Sequence, residues 1–333
     1  MAKLYVSIAV DWEGEHFRDL GDLHAAREAI QTSLGTTVPF THFICPTYWL
    51  HPQRPRCPTQ AIRSALRKGD EVGLHVHCWE ALVHAAGVKF LSSPDWNNDG
   101  SGHGVPLGAY GREAQVILAC ARDLVQRQLG ATVHGFRCGG AMTSDSVYEA
   151  LLALGFRYDC SAFPPEVVSR GFGPTSRGNL RDTFGARNEI AAYLVDLWGH
   201  APVRRPECAN RLSLGANGGG VTPLTQPYWV CAEGSRLLEM PGNGAISDYA
   251  SAAYMSKTFG ALLSRAQTST TPLFFNIGCH QEGAGRWKRP LIDFCHERRR
   301  ELASEAVVLT TVAKAAKVVR RMSYEETGCG SVA

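Results

Sequence analysis

Six residues are of types that could hydrolyse a substrate together. Asp11 and Glu13 follow the apolar run LYVSIAV, His75 and His77 close EVGLHVH, Arg137 closes HGFR, and His280 closes LFFNIGCH. A carboxylate with two imidazoles is a common ligand set for a catalytic divalent metal that keeps positions open. Such an ion lowers the pKa of bound water toward neutrality and polarises a carbonyl oxygen. A second carboxylate nearby suits a general base, and a separate histidine suits protonation of a leaving group. An arginine can hold the base ionised and oriented through a charge-assisted, bidentate pair. Together these fit metal-assisted hydrolysis of an amide or ester.

Side chains along a strand alternate between faces, and this pattern places the six. Leu4, Val6, Ile8 and Val10 form one apolar face, opposite Tyr5, Ser7, Ala9, Asp11 and Glu13. Val72, Leu74 and Val76 oppose Gly73, His75 and His77, and Gly135 shares a face with Arg137. Leu273, Phe275, Ile277 and Cys279 oppose Phe274, Asn276, Gly278 and His280. Each strand has one face for covering helices and a polar tip, and (β/α) barrels gather their active sites at the C-terminal ends of strands.

Strands are expected at 4–10, 42–45, 71–77, 133–137, 157–160, 237–240, 273–279 and 307–310. Helices are expected at 23–34, 59–68, 111–129, 144–154, 252–266, 290–304 and 312–321, with Thr143 or Ser144 capping the fourth. The alternation predicts an α/β protein with a parallel sheet, open or closed into a barrel. Residues 94–108 and 164–234 break the rhythm, and the longer stretch reads as an insertion or functional loop.

With 333 residues, 44% hydrophobic, 20% charged and 9% aromatic, the composition is that of a globular protein able to bury a full core. A net charge of +3 gives no general pull toward nucleic acid or membranes. No apolar run is long enough to span a bilayer. The N-terminus reads as a first strand, not a secretory signal. Eleven cysteines without a C-x-x-C pair argue against a disulfide framework and for reduced thiols in the cytoplasm.

In order and spacing the segments SIAVDWEGE, EVGLHVHCWE, GFRCGGAMTSD, FRYDCSAF, LLEMP and FFNIGCHQEG resemble the polysaccharide deacetylase (NodB-homology, carbohydrate esterase 4) superfamily. The likeness covers about residues 4–163 and 235–311. It implies a distorted (β/α) barrel of seven or eight strands with a long insertion. The domain would run over 1–323 with the insertion at about 165–234, followed by a tail at 324–333. It implies a metal-dependent deacetylase with Asp11 as catalytic base, Glu13, His75 and His77 as metal ligands, Arg137 holding the base and His280 as catalytic acid. The expected cofactor is a divalent metal, Zn²⁺ foremost, and the expected partner is a small-molecule or glycan substrate. The family commonly spaces its histidines H-[ST]-x-x-H, whereas here Trp79 stands four after His75 and His77 supplies the second imidazole. Cys138-Gly139-Gly140 replaces a usual proline after the arginine. Without an export signal, the chain looks like intracellular branches, some of which serve lipopolysaccharide or O-antigen biosynthesis.

Trp12, Trp49 and Trp79, with Tyr48 and Trp198, are candidates to line a sugar cleft, against a default of structural packing. His84 and His103 are reserve ligands, and Cys138 is a thiol beside Arg137. The basic stretch 286–300 could meet a phosphate, although interspersed acids favour a solvated helix face. Rival functions are another amidohydrolase on a small imide, ureide or acylated polyamine, and an inactive barrel that binds glycan.

Overall fold

The computed structural model describes residues 2–14, 20–50, 58–91, 104–141, 143–164, 221–232 and 234–326. The alternation of β1 (Leu4–Trp12) sets the layering. Leu4, Val6, Ile8, Val10 and Trp12 are buried in the larger core, where α1 (Leu20–Leu34) contributes Leu23, Ala26 and Ile30. Ala9 on the opposite face joins a second core inside the barrel. Strands β2 (Phe40–Ile44), β3 (Glu71–Val76), β4 (Gly135–Cys138) and β5 (Tyr158–Asp159) follow in parallel order from β1. Between them lie α2 (Pro58–Ala65), α3 (Glu80–Ala85), α4 (Ala114–Leu129) and α5 (Asp145–Ala153).

The second half holds β6 (Tyr228–Ala232), β7 (Ser235–Glu239), α6 (Ala252–Thr268), β8 (Leu273–His280), α7 (Ala284–Glu297), α8 (Arg299–Leu302), β9 (Val307–Thr310) and α9 (Val312–Glu326). The sheet order is β6-β7-β5-β4-β3-β2-β1-β8, with β9 beside the first residues of β1. Every pairing is parallel except β6–β7. Among the described residues no pairing joins β8 to β6, so the curled sheet is an incomplete (β/α) barrel.

Among the described residues the sheet has nine strands: the expected ones are all present and β6 is added to them. It lies within the stretch read as insertion, and the turn into β7 uses Gly234 at φ +79°, a conformation that glycine adopts without steric cost. Residues 165–220 lie outside the described residues. The barrel interior is filled by Phe43, Tyr158, Leu238, Met240 and Phe274, and by Val312, Ala315 and Ala316 of α9. Tyr5 stacks on Phe274 at 5.4 Å.

Ser144 caps α5 by accepting the Val147 N–H. The helix expected from Pro290 begins at Ala284 instead. Pro290 sits inside α7, which the burial of Trp287, Leu291 and Phe294 holds against the core despite the missing N–H. The 286–300 stretch is a paired surface, with Arg289 on Asp293 and Arg298 on Glu301. The described cysteines are free thiols. No helix among the described residues is long and apolar enough to cross a membrane.

Candidate active site

Register brings the polar tips together. β1 and β8 pair with Asp11 beside His280, and β3 and β4 pair with His75 beside Arg137. A pocket of about 690 Å³, the open solvent at its mouth included, lies there. All six residues singled out by type and spacing line it, with Tyr249, Phe163 and Ile246 among the others.

Glu13 faces three histidines. Its Oε2 lies 2.6 Å from His77 Nε2, and its Oε1 lies 3.4 Å from His75 Nε2 and 3.6 Å from His280 Nε2. The donor atoms of Glu13, His75 and His77 all lie within 4.8 Å of one another. The Arg137 carbonyl can only accept, so His75 Nδ1 at 2.9 Å donates to it. In the neutral ring that leaves the Nε2 lone pair facing Glu13. His75 Nε2 and Glu13 Oε1 are buried with no hydrogen-bond partner. Buried polar atoms are rarely left so, and a nitrogen–nitrogen–oxygen donor set with two orphaned atoms fits a divalent cation. Burial would raise the Glu13 carboxyl, but His77, His75 and His280 hold it well below the usual carboxylate range.

Gly139 makes room for this set. A Cβ there would lie 2.6 Å from the Val76 carbonyl oxygen and 2.8 Å from the His77 ring. The glycine in the proline-lacking segment therefore lets the backbone pass against the imidazole.

Asp11 is on the other side of the pocket floor, 3% exposed. Arg137 Nη1 reaches its Oδ1 at 2.9 Å and its Oδ2 at 3.1 Å. The expected pair thus engages both oxygens, but through one nitrogen rather than a fork. Nε is spent on the Cys160 carbonyl at 2.9 Å and Nη2 on Cys160 Sγ at 3.0 Å. The guanidinium lies between the rings of Phe43 and Phe163, at 4.6 and 5.1 Å from their centroids. Burial opposes its charge, but Asp11 raises its basicity.

Two carboxyl residues at the site escaped the sequence reading. Asp248 Oδ2 lies 3.1 Å from His280 Nδ1 and also accepts the His280 N–H. It gets there because residues 244–247 run along β8, with Ile246 bridged to Gly278 and the Ser247 N–H bonded to the Gly278 carbonyl. Burial lowers the basicity of His280, but Asp248, with Glu13 and Tyr249, raises its pKa well above the ordinary imidazole value. The second residue, Glu282, accepts from the Glu13 N–H at 3.2 Å and from the Tyr48 hydroxyl. Burial and the neighbouring Glu13 push its carboxyl up to about 8.

Among the described residues, Trp12, Trp49 and Trp79 do not form an open sugar platform. Trp12 shares the parity of Leu4, Val6, Ile8 and Val10, so it points into the helix-covered core, where its Nε1 donates to His42 Nδ1 at 3.1 Å. Trp49 is buried with its Nε1 on Thr59. Trp79 is buried too, and its Nε1 donates to the Glu13 carbonyl at 2.8 Å. Trp198 and His103 lie outside the described residues. His84 is exposed on α3 beside Phe90 and does not line the pocket. Cys138 does line it, but burial and not reactivity is its visible property.

No protein-family model and no curated protein matches the chain in sequence. Solved structures match it along nearly its whole length. Puue allantoinase does so with a TM-score of 0.51 and 11% identity, over 99% of this chain and 93% of that one. A probable polysaccharide deacetylase from Pseudomonas aeruginosa PAO1 does so with a TM-score of 0.50 and 11% identity, over 96% and 92%. At such identity the shared property is the fold, and the chain has the (β/α)-barrel fold of these two proteins.

Proposed function

We propose that the chain is a metal-dependent N-deacetylase of the polysaccharide deacetylase superfamily, acting on the acetamido group of an amino sugar or a sugar-containing biosynthetic intermediate. The observation that carries this reading is the buried pair His75 Nε2 and Glu13 Oε1, which face each other at 3.4 Å without a hydrogen bond, in a pocket that also holds an arginine-bound Asp11 and a carboxylate-bound His280.

Glu13, His75 and His77 would hold the cation, Zn²⁺ foremost. When bound, it supplies Lewis acidity to a carbonyl oxygen and lowers the pKa of water. Asp11 is the base that takes a proton from the attacking water, and Arg137 keeps it aimed. His280, oriented by Asp248 on its Nδ1, gives a proton from Nε2 to the departing amine nitrogen as the carbon–nitrogen bond breaks. Acetate and a free amine leave. The free thiols fit a cytoplasmic enzyme.

A second reading, hydrolysis of a small amide or ureide, is compatible with a fold that an allantoinase also has. One assay separates them: purified protein, its metal content measured, is presented with acetamido sugars and with ureides, and acetate release and the gain of one water by the ureide, read by mass, are followed. Acetate release that disappears on chelation and returns with a divalent ion is the expected result. Hydrolysis of acetamido sugars at full rate by stripped protein would refute the proposed mechanism.

A further inference from the structure

We propose that Trp79 and Glu282 are positioning residues that clamp the Glu13 peptide at both ends and so set the reach of its carboxylate toward His75 and His77. The inference rests on the reading of those three residues as metal ligands.

Glu13 lies just beyond the sheet. The β1–β2 register ends at Trp12 beside Ile44, and the Trp12 carbonyl takes the Cys45 N–H at 3.1 Å. One residue on, side chains replace the ladder. The Glu13 N–H goes to Glu282 Oε1 and the Glu13 carbonyl to Trp79 Nε1. Gly14, at φ +90°, confines the same turn from the next position, because a Cβ there would stand 2.6 Å from Cys45 Sγ.

Each anchor joins this peptide to another arm of the site. Trp79 lies two residues after His77 and its N–H bonds the His77 carbonyl at 2.9 Å, so it couples Glu13 to the histidine strand. Glu282 lies two residues after His280 and also receives the Tyr48 hydroxyl, so it couples Glu13 to the turn that carries His280. An indole offers only a donor and cannot ligate a cation. Its placement four after His75 therefore contributes a hydrogen bond to the backbone of one ligand rather than a ligand of its own. A glutamate side chain is long and rotamer-rich, and its aim depends on a fixed backbone. Partners that orient metal ligands in this way are worth about 10–100-fold in metal affinity when removed.

The test uses the full-length chain, stripped of metal. Zn²⁺ affinity is measured by competition with a chromophoric chelator, Co²⁺ geometry by visible absorption, and protection of the 11–14 backbone by hydrogen exchange. Trp79→Phe keeps an aromatic ring and deletes the N–H. Expected are Zn²⁺ binding weaker by about 10–100-fold, a changed Co²⁺ spectrum and faster exchange over the 11–14 backbone. Glu282→Ala should move all three the same way, and Glu282→Gln, which keeps an acceptor oxygen, should restore them. If Trp79→Phe and Glu282→Ala both bind Zn²⁺ as tightly as the parent, the clamp is overturned. If the parent itself binds no divalent ion, the ligand reading fails instead. Hydrogen exchange on the metal-free variants then decides the clamp, and unchanged protection at Glu13 in Glu282→Ala overturns it.

Discussion

Arg137 meets both carboxylate oxygens of Asp11 with one nitrogen, Nη1, and spends its remaining donors on Cys160. Both partners are almost wholly shielded from water. Such a pair is costly to break from one side, because the charge left behind stays buried and uncompensated. Arg137→Met should therefore destabilise the fold by about 3–5 kcal/mol in urea unfolding. Adding Asp11→Asn should recover part of that loss, since the two sites are in contact and their effects do not add. A cost for Arg137→Met of only about 1 kcal/mol, as for an exposed pair, would contradict this account.

The strand tips were legible because alternation couples a visible apolar face to an invisible polar one. Leu4 to Val10 had to face helices, so Asp11 had to face the barrel mouth. The same parity, followed one residue further, puts Trp12 in the core and not at the barrel mouth, and that too was readable. Asp248 was not readable. Its place depends on 244–247 lying along β8, a pairing with no periodic signature. Glu282 was likewise hidden, because an acid two residues after a strand end looks like solvent-facing polarity until Tyr48 and Glu13 are seen to converge on it. β6 was masked by a stretch whose neighbours show little periodicity.

Asp11→Asn preserves shape and removes the basic oxygen. If Asp11 is the base and Glu13 the ligand, the variant should bind metal as the parent does. It should lose about 10²–10⁴-fold in turnover, the range that general-base catalysis commonly contributes. Metal content by elemental analysis and acetate release by coupled assay check both halves. Loss of metal from Asp11→Asn would exchange the roles of the two carboxylates.

Asp159 on β5 and Glu239 on β7 are cross-strand neighbours with fully buried side chains, and Asp159 Oδ2 and Glu239 Oε2 have no other hydrogen-bond partner. Burial pushes the Asp159 carboxyl up to about 6, and burial together with Asp159 pushes Glu239 well above the usual range. Tyr148 and Tyr228 face the pair, and Arg137 works in the opposite direction. The folded state thus holds protons that the unfolded chain releases near pH 4. Stability from this pair is fully present below the unfolded carboxylate value and declines as pH rises, by about 1.4 kcal/mol per pH unit for each proton retained. Glu239→Gln should flatten that decline between pH 5 and 8 in urea midpoints. An equal slope in parent and variant would remove the pair as its source.

Gly139 links the departure in the arginine segment to the departure in the histidine segment. With a proline absent after Arg137, the backbone at Gly139 comes close enough that an added methyl would stand 2.8 Å from the His77 ring and 2.6 Å from the Val76 carbonyl. The carbonyl belongs to the β3 backbone and has little room to yield, whereas the imidazole can turn. Gly139→Ala should therefore displace His77 from Glu13 Oε2, now 2.6 Å away, while leaving His75 bonded to the Arg137 carbonyl. The expected outcome is Zn²⁺ affinity reduced by about tenfold or more, in the range of losing a group that orients a ligand. Thermal stability should fall as well, because Gly139 is buried and the Val76 carbonyl cannot turn aside. His77→Ala sets the scale for complete loss of that imidazole, and Gly139→Ala should fall between it and the parent in a Zn²⁺ titration. If Gly139→Ala titrates like the parent, the contact with His77 plays no part in the centre, and the glycine answers to the Val76 carbonyl alone.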